Sequence, residues 1–233
     1  YGLFYYESNF IKSYILILGA VSIIAGCIGT IYQKDLKQIV IFNIVISLGV
    51  MVCGTATLNT FGVKGALFYA VNDILLKAAL FIVVGLIIYV SGVKYLQKCG
   101  LINKYPLLGW TYFIIVLSLA GVPPFSGFYG KALIIKGLVT NNNTFIAILV
   151  ALSGLVVFYS LIRIFLNIFY DNINKSLILK PLPKGVQIPL IAIVAIALII
   201  GVSTNLLDGF FDKGIQMVLN PQHYIDLVLK KGA

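Results

Sequence analysis

The sequence is poor in acidic residues, histidine and cysteine. Only 7 of its 233 residues are Asp or Glu, against 17 Lys and Arg, and its single histidine is His223. The cysteines, Cys27, Cys53 and Cys99, show no metal or redox spacing, and their odd number argues against a disulfide framework. The sequence contains no nucleotide-binding loop, metal cluster, haem-ligand pair or nucleophile triad. We therefore expect no cofactor and no catalysis by this chain alone.

Charge is scarce, and its placement argues against nucleic acid as a partner. Charged residues make up 10% of the chain and hydrophobic residues 61%. The net charge of +10 comes mainly from lysines in short segments between apolar runs, where they set membrane topology. Because the apolar runs are continuous rather than alternating, they predict helices that cross a lipid bilayer. The predicted fold is an all-α, polytopic transmembrane helix bundle with one broken helix.

The sequence predicts about six membrane spans, each close to the length that crosses the hydrocarbon or longer. The predicted spans are residues 10–31, 38–58, 64–90, 106–139, 145–169 and 188–206. The polar segment 91–105 is expected to form a surface helix, and 209–230 a weakly amphipathic tail at the membrane surface or against a partner. We treat 1–233 as a single membrane domain. The chain opens on Tyr1 rather than Met, and we expect it to be part of a longer protein.

The third predicted span carries two charged residues near its middle. Asp73 and Lys77 are four residues apart and share one helix face, with Tyr69 one turn further along that face. A charge at mid-membrane costs about 2.5 kcal/mol or more, and such residues usually face a bundle interior or a water-filled path. These three residues are therefore candidates for a proton or ion relay. The alternative is a static ion pair that fixes the helix register, but even buried pairs often stabilise no better than apolar packing.

The fourth predicted span is interrupted by a Gly-Val-Pro-Pro-Phe-Ser-Gly run. Pro123 and Pro124 remove backbone donors and break the helix, and a break at membrane depth must be buried in protein or line a cavity. Ser126, followed by Gly127, is expected to be the N-cap of a second half-helix. Lys131 falls in the first turns of that half-helix, near mid-membrane. A broken helix beside an ionisable residue is recurrent in ion-coupled transporters.

Other polar residues inside the apolar runs form a possible polar network. Asn43 and Ser47 lie one turn apart in the second span, where interhelical hydrogen bonds are the favoured role and a lining role in a water path is the alternative. Arg163 lies in the last third of the fifth span. It either extends to the membrane interface or joins the polar network, and the sequence favours neither.

The loops differ in their content of lysine. If the broken segment crosses the membrane once, loops 32–37, 91–105 and 171–187 fall on one side and hold most of the loop lysines. The opposing loops contain Lys64 as their single lysine. The positive-inside rule then places the lysine-rich loops in the cytoplasm.

Several motifs resemble the antiporter-like membrane subunits shared by respiratory complex I and the multisubunit Mrp-type cation/proton antiporters. They are the runs at 34–39, 73–81 and 118–128, the last followed by Lys131. Within that family, the D subunits of the Mrp antiporters are the most similar, on the runs at 105–110, 159–164 and 221–229. The resemblance covers essentially the whole chain, but only about the C-terminal half of the family's length.

The resemblance implies a fold with two inverted repeats, each with one broken helix, of which this chain holds most of the second. Lys77 matches the lysine of the central relay helix, and Lys131 matches the lysine of the broken helix. Tyr69 and Asp73 stand where many relatives carry histidines, so Asp73 would be a counter-charge for Lys77.

The function implied by the resemblance is transport rather than catalysis. The chain would be a proton-translocating subunit of a hetero-oligomeric Na⁺/H⁺ antiporter in the cell membrane, with the other subunits as partners. The alternative is a proton-pumping membrane subunit of a respiratory NADH:quinone oxidoreductase or related hydrogenase. A third possibility is a scaffold that does not transport.

Overall fold

The computed structural model describes residues 8–123, 125–170, 179–182, 185 and 187–202, and this part of the chain is helical. Its helices are α1 (Ser8–Tyr32), α2 (Leu36–Ala56), α3 (Thr60–Ser91), α4 (Pro106–Ala120), α5 (Ser126–Thr140), α6 (Thr144–Ile168) and α7 (Gln187–Val202). The helices α1, α2, α3 and α6 are the 4 that are long and apolar enough to cross a membrane. The helices α4 and α5, with 15 residues each, are too short to cross singly.

The predicted spans agree with these helices to within a few residues at most described ends. The difference from about six spans lies in the broken segment and in the last helix. The broken segment is divided into α4 and α5. The last helix, α7, has 16 residues within the described part of the chain. The predicted tail 209–230 lies outside the described residues.

Local side-chain and glycine signals set several helix ends. The side chain of Asp35 accepts hydrogen bonds from the backbone N–H groups of Lys37 and Gln38 and so caps α2. Asn59 caps α3 in the same way, through the N–H of Gly62. The helix α3 ends at Ser91, and its C-cap is Gly92, whose φ of 71° is left-handed and therefore suits glycine.

Glycine allows a close contact between α3 and α5. A Cβ atom placed on Gly130 of α5 would lie 2.9 Å from the backbone N and Cα of Tyr69 on α3. A Cβ atom on Gly65 of α3 would likewise lie 2.7 Å from the backbone N of Ile134. Small residues let two membrane helices approach with their backbones nearly touching. This contact places Lys131, the neighbour of Gly130, beside the face of α3 that carries Tyr69.

The lysine-rich loops lie together at one end of the bundle, which we call the loop end. Main-chain hydrogen bonds join their described residues there: Leu36 N to Lys94 O (3.0 Å), Leu96 N to Lys34 O (2.8 Å), Cys99 N to Asn167 O (3.2 Å) and Lys180 N to Val90 O (3.0 Å). Residues 32–37, 91–105 and 179–182 are therefore on the same side, as the topology prediction requires.

The end of α5 lies at the opposite end of the bundle. Asn59, in the turn between α2 and α3, donates through Nδ2 to Gly137 O (2.7 Å) and to Thr140 Oγ1 (2.9 Å). Asn141 donates through Nδ2 to Thr57 O in the same turn. Since α4 begins just after residue 105 at the loop end, the broken segment crosses the bundle once.

The segment 91–105 is not the surface helix that the sequence predicted. It is largely irregular, with a short 3-10 turn at Leu101–Asn103 and an antiparallel bridge between Tyr95 and Asp35. Gly92 and Gly100 have φ values of 71° and 64°, which interrupt a right-handed helix. The prediction was wrong because hydrogen bonds to neighbouring segments replace those of a local helix.

Candidate ion-translocation site

Lys77 lies in the interior of the bundle, between α3 and α2. Its Nζ is 2.7 Å from Asp73 Oδ2 and donates to Asn43 O at 3.0 Å. A third hydrogen bond runs from Nζ to Ser47 Oγ. Lys77 is 7% exposed and Asp73 4% exposed, so the ammonium group is held by protein oxygens rather than by surrounding solvent.

The side chain of Asn43 ties three helices together at the depth of Lys77. Its Nδ2 donates to Thr30 Oγ1 of α1 (3.0 Å) and to Ser160 Oγ of α6 (3.2 Å). It also donates to Ile39 O within α2, at 2.8 Å. Thr30 and Ser160 are fully buried, and sequence reasoning did not identify either of them. The interhelical role favoured for Asn43 is therefore what the structure contains, while the backbone carbonyl of the same residue contacts Lys77.

Lys131 lies against the end of the first half-helix. Its Nζ donates to Leu119 O and Ala120 O, both at 3.0 Å. These carbonyls belong to the last turn of α4, where the helix dipole places partial negative charge. Lys131 is 7% exposed. The break in the helix therefore provides the acceptors that hold a second buried ammonium group.

The left-handed backbone of Gly121, with a φ of 80°, shapes this end of α4. The N–H of Gly121 bonds to Ser118 O (3.2 Å), and the N–H of Val122 bonds to Leu117 O (3.1 Å). These turn hydrogen bonds use the carbonyls of Leu117 and Ser118. The next two carbonyls, those of Leu119 and Ala120, accept from Lys131.

Tyr69 lies beside Lys131 and on the same face of α3 as Lys77. The Nζ of Lys131 is 5.6 Å from the centroid of the Tyr69 ring, which is a favourable position for a cation. Tyr69 is 4% exposed, and Asp73 and Lys77 follow it at successive turns of α3. At 1.5 Å per residue, the Cα atoms of Tyr69 and Lys77 are about 12 Å apart along the helix. The structure thus brings the four predicted relay residues into one buried row.

A cavity of about 590 Å³ adjoins Lys131. It lies between the break and the facing sides of α5 and α6, and Lys131 is the charged residue of its otherwise apolar and glycine lining. A Cβ atom on Gly154 of α6 would lie 3.6 Å from Lys131 Nζ, so glycine leaves space beside the ammonium group. A water molecule occupies about 30 Å³ in the liquid, so the cavity has room for several beside Lys131.

The remaining residues of the break are described only in part. Pro123 is exposed at the cavity, whereas Pro124 and the side chain of Ser126 lie outside the described residues. The helix α5 begins at Ser126 with Phe125 as its N-cap, so the predicted capping position was one residue too late. Gly127 is required by packing, because a Cβ atom there would lie only 1.9 Å from Ser118 O.

Arg163 is separate from the Asn43 cluster. It donates through Nη1 to Ile31 O at 2.9 Å and through Nη2 to Gln33 O, at the end of α1. A cationic side chain that bonds the last carbonyls of a helix stabilises that helix end. Arg163 therefore joins α6 to α1 at the loop end instead of lying beside Lys77.

Residues 1–157 match the protein family described as NADH:quinone oxidoreductase/Mrp antiporter, TM. The chain belongs to this family, and it is a multi-pass membrane protein. It is 35% identical to the D subunit of the Na(+)/H(+) antiporter of Bacillus subtilis (strain 168), over 98% of this chain and 47% of that protein.

Solved structures support the same fold. The chain superposes on a subunit of the Mrp complex from Dietzia sp. DQ12-45-1b with a TM-score of 0.85 at 21% identity, covering 94% of this chain and 49% of that one. A subunit of respiratory complex I from Thermus thermophilus gives a TM-score of 0.79 at 22% identity, covering 91% of this chain and 44% of that one. These similarities confirm the predicted all-α membrane fold. The chain spans about half the length of these relatives.

Proposed function

We propose that this chain is the proton-translocating part of one subunit of a multisubunit Na⁺/H⁺ antiporter in the cell membrane. The observation that carries the proposal is the pair of buried ammonium groups, Lys77 and Lys131, in one row with Tyr69 and Asp73. Charges inside membrane helices are costly and usually mark ion or proton pathways. The chain would act as a transporter subunit rather than an enzyme, with lipid and the other subunits of the complex as its partners.

The two lysines have surroundings suited to proton exchange. Lys77 is held between a carboxylate, which favours its charged form, and a desolvated interior, which disfavours it. Lys131 has main-chain acceptors and an adjoining cavity but no carboxylate within hydrogen-bonding distance among the described residues. Movement of a proton between groups in such different surroundings would respond to hydration of the cavity. In the full assembly, this step would couple inward proton movement to outward sodium movement.

The second candidate is a membrane subunit of a respiratory NADH:quinone oxidoreductase. Its basis is the fold similarity to a complex I chain, with a TM-score of 0.79. Fold similarity to the Mrp complex is greater, with a TM-score of 0.85, and the Bacillus subtilis antiporter relative is 35% identical over 98% of this chain, so the antiporter is the first candidate. Membranes containing the respiratory complex would move protons when supplied with NADH and quinone, whereas the antiporter would respond to sodium.

The test replaces each lysine with methionine, which keeps an apolar stem but has no charge. Lys77→Met and Lys131→Met are made in the full-length subunit, assembled with its partners, and sodium-driven proton movement is measured in membrane vesicles. We expect a loss of about 100-fold or more for each, the scale of a removed proton-transfer group.

Lys136→Met is the matched control for this experiment. Lys136 lies on α5 as Lys131 does, but it is exposed and its Nζ is 3.8 Å from the centroid of the Phe61 ring. We expect this variant to exchange sodium for protons at the normal rate. Normal exchange in both buried-lysine variants would contradict the proposed function.

A further inference from the structure

Three oxygen atoms surround the ammonium group of Lys77, and they come from two helices. They are a carboxylate oxygen of Asp73 on α3 (2.7 Å), the main-chain carbonyl of Asn43 on α2 (3.0 Å) and the hydroxyl of Ser47 on α2. We call this set the oxygen cage. Its three residues are 2–4% exposed.

The oxygen cage has the chemistry of a cation site. Carboxylate, carbonyl and hydroxyl oxygens are the ligands of hard metal cations, and an ammonium group differs in making directed hydrogen bonds to them. The cage contains one negative charge, which balances one positive charge. Divalent cations bound by proteins usually take more than one carboxylate, so the cage fits a monovalent ion better.

Asp73 gives the oxygen cage a charge that other parts of the bundle lack. It is the single acidic residue within the seven helices that the structure describes. Its Oδ1 atom is buried and has no hydrogen-bond partner among the described residues, so the carboxylate has an unused acceptor. The negative charge of Asp73 would balance the charge of a cation that enters this part of the bundle.

The oxygen cage does not depend on Lys77 for its position. The side chain of Asn43 holds α2 to α1 and α6 through Thr30 and Ser160, which fixes the carbonyl that faces the ammonium group. Lys77 reaches the cage on a flexible four-carbon stem, so its Nζ can leave while the oxygens stay in place.

We infer that the oxygen cage is a binding site for a monovalent alkali cation, which occupies it in alternation with the ammonium group of Lys77. The inference rests on the proposed function, which it deepens by giving the transported cation a place in this chain. Because the cation and the ammonium group exclude each other from the same oxygens, entry of the cation moves the relay lysine. That exclusion would couple the two fluxes at a single position.

The test measures cation binding to the assembled complex containing the full-length subunit. Radioactive sodium is the probe, and radioactive rubidium serves as a potassium surrogate, so the two arms distinguish which alkali cation the cage prefers. In Lys77→Met the competing ammonium group is absent, and we expect the Kd for the preferred cation to fall about tenfold or more, which corresponds to at least 1.4 kcal/mol. Should that variant fail to assemble, Lys77→Gln serves in the same comparison.

Further substitutions in the Lys77→Met background identify the ligands. Asp73→Asn is expected to abolish the gained binding, and Ser47→Ala to weaken it about tenfold, as for the loss of one polar ligand. Ser153→Ala is the matched control: its buried hydroxyl donates to a carbonyl of its own helix, Val150 O at 2.7 Å, as the Ser47 hydroxyl donates to Ile44 O at 2.9 Å, but it is not part of the cage. It should leave Kd unchanged.

Two outcomes would overturn the inference. One is that, for each cation, the Kd of Lys77→Met equals the Kd of the unaltered protein. The other is cation binding that persists after Asp73→Asn in the Lys77→Met background. The proposed function fails on a different result, which is normal proton movement in both Lys77→Met and Lys131→Met. Loss of proton movement in Lys77→Met without any gain in cation affinity would support the relay and exclude the cation site.

Discussion

Replacing Gly130 with alanine tests whether the contact between α3 and α5 positions the relay. The added Cβ would lie 2.9 Å from the backbone N and Cα of Tyr69, whereas ordinary contacts are 3.4–4 Å. Backbone atoms cannot rotate away as a side-chain tip can. The two helices must therefore separate by about 0.5 Å or more, which is the difference between these distances.

The expected cost follows from this overlap and from the neighbouring residue. Inserting a methyl group into a closely packed interface typically costs about 1–3 kcal/mol. Lys131 follows Gly130 directly, so its Nζ would shift relative to Leu119 O and Ala120 O, which it contacts at 3.0 Å. Misplacement of a reacting group by about 1 Å can lower a rate about 100-fold. We expect the exchange rate of Gly130→Ala to fall about tenfold or more.

The assay combines sodium-driven proton movement in vesicles with thermal unfolding of the purified complex. Gly85→Ala is the control, because Gly85 lies within α3 and a Cβ atom there would have nothing within 4 Å beyond the backbone of its own helix. This variant should transport normally and be as stable as the unaltered protein or slightly more so. If Gly130→Ala cannot be distinguished from Gly85→Ala in both measurements, α3 and α5 do not approach as described.

Two further predictions concern the helix ends and the topology. Asp35→Ala removes the cap of α2 and should lower stability by about 1 kcal/mol in thermal unfolding. Asp35→Asn should keep most of the stability, because asparagine also caps helices. Equal losses of stability in both variants would refute a capping role. Tyr95→Cys and Asn142→Cys, both at exposed positions, should react with a membrane-impermeant maleimide from opposite faces, Tyr95→Cys from the cytoplasmic one. The native Cys99 should stay unlabelled, since burial raises the pKa of its thiol, and labelling of both introduced cysteines from one face would contradict the single crossing.

Much of the fold could be predicted from the sequence because membrane helices follow simple rules. Long apolar runs give the spans, and the two adjacent prolines give the break between α4 and α5. The lysine content of the loops correctly grouped the segments that lie at the loop end. The segment 91–105 could not be predicted, because the main-chain partners that hold it, such as Asn167 O, lie far away in the sequence.

The candidate site could likewise be predicted only in part. Tyr69, Asp73 and Lys77 were identifiable because helical periodicity alone places them on one face. The link from Asn43 to Ser160 was not, since 117 positions separate them and serine is an ordinary packing residue in a membrane helix. The acceptors of Lys131 are main-chain carbonyls, and carbonyls have no signature in a sequence because every residue has one.

The interruption after Ala120 has a consequence for how this protein tolerates change. Acidic side chains can be lost by one substitution and neutralised by one proton, but the peptide oxygens that face Lys131 belong to every possible residue at those positions. Their ability to hold a positive charge therefore depends on the course of the main chain and not on the side chains at these positions. Substitutions at Leu119 and Ala120 should therefore leave these oxygens in place, provided that the half-helices stay apart and Gly121 keeps the backbone turn that frees them.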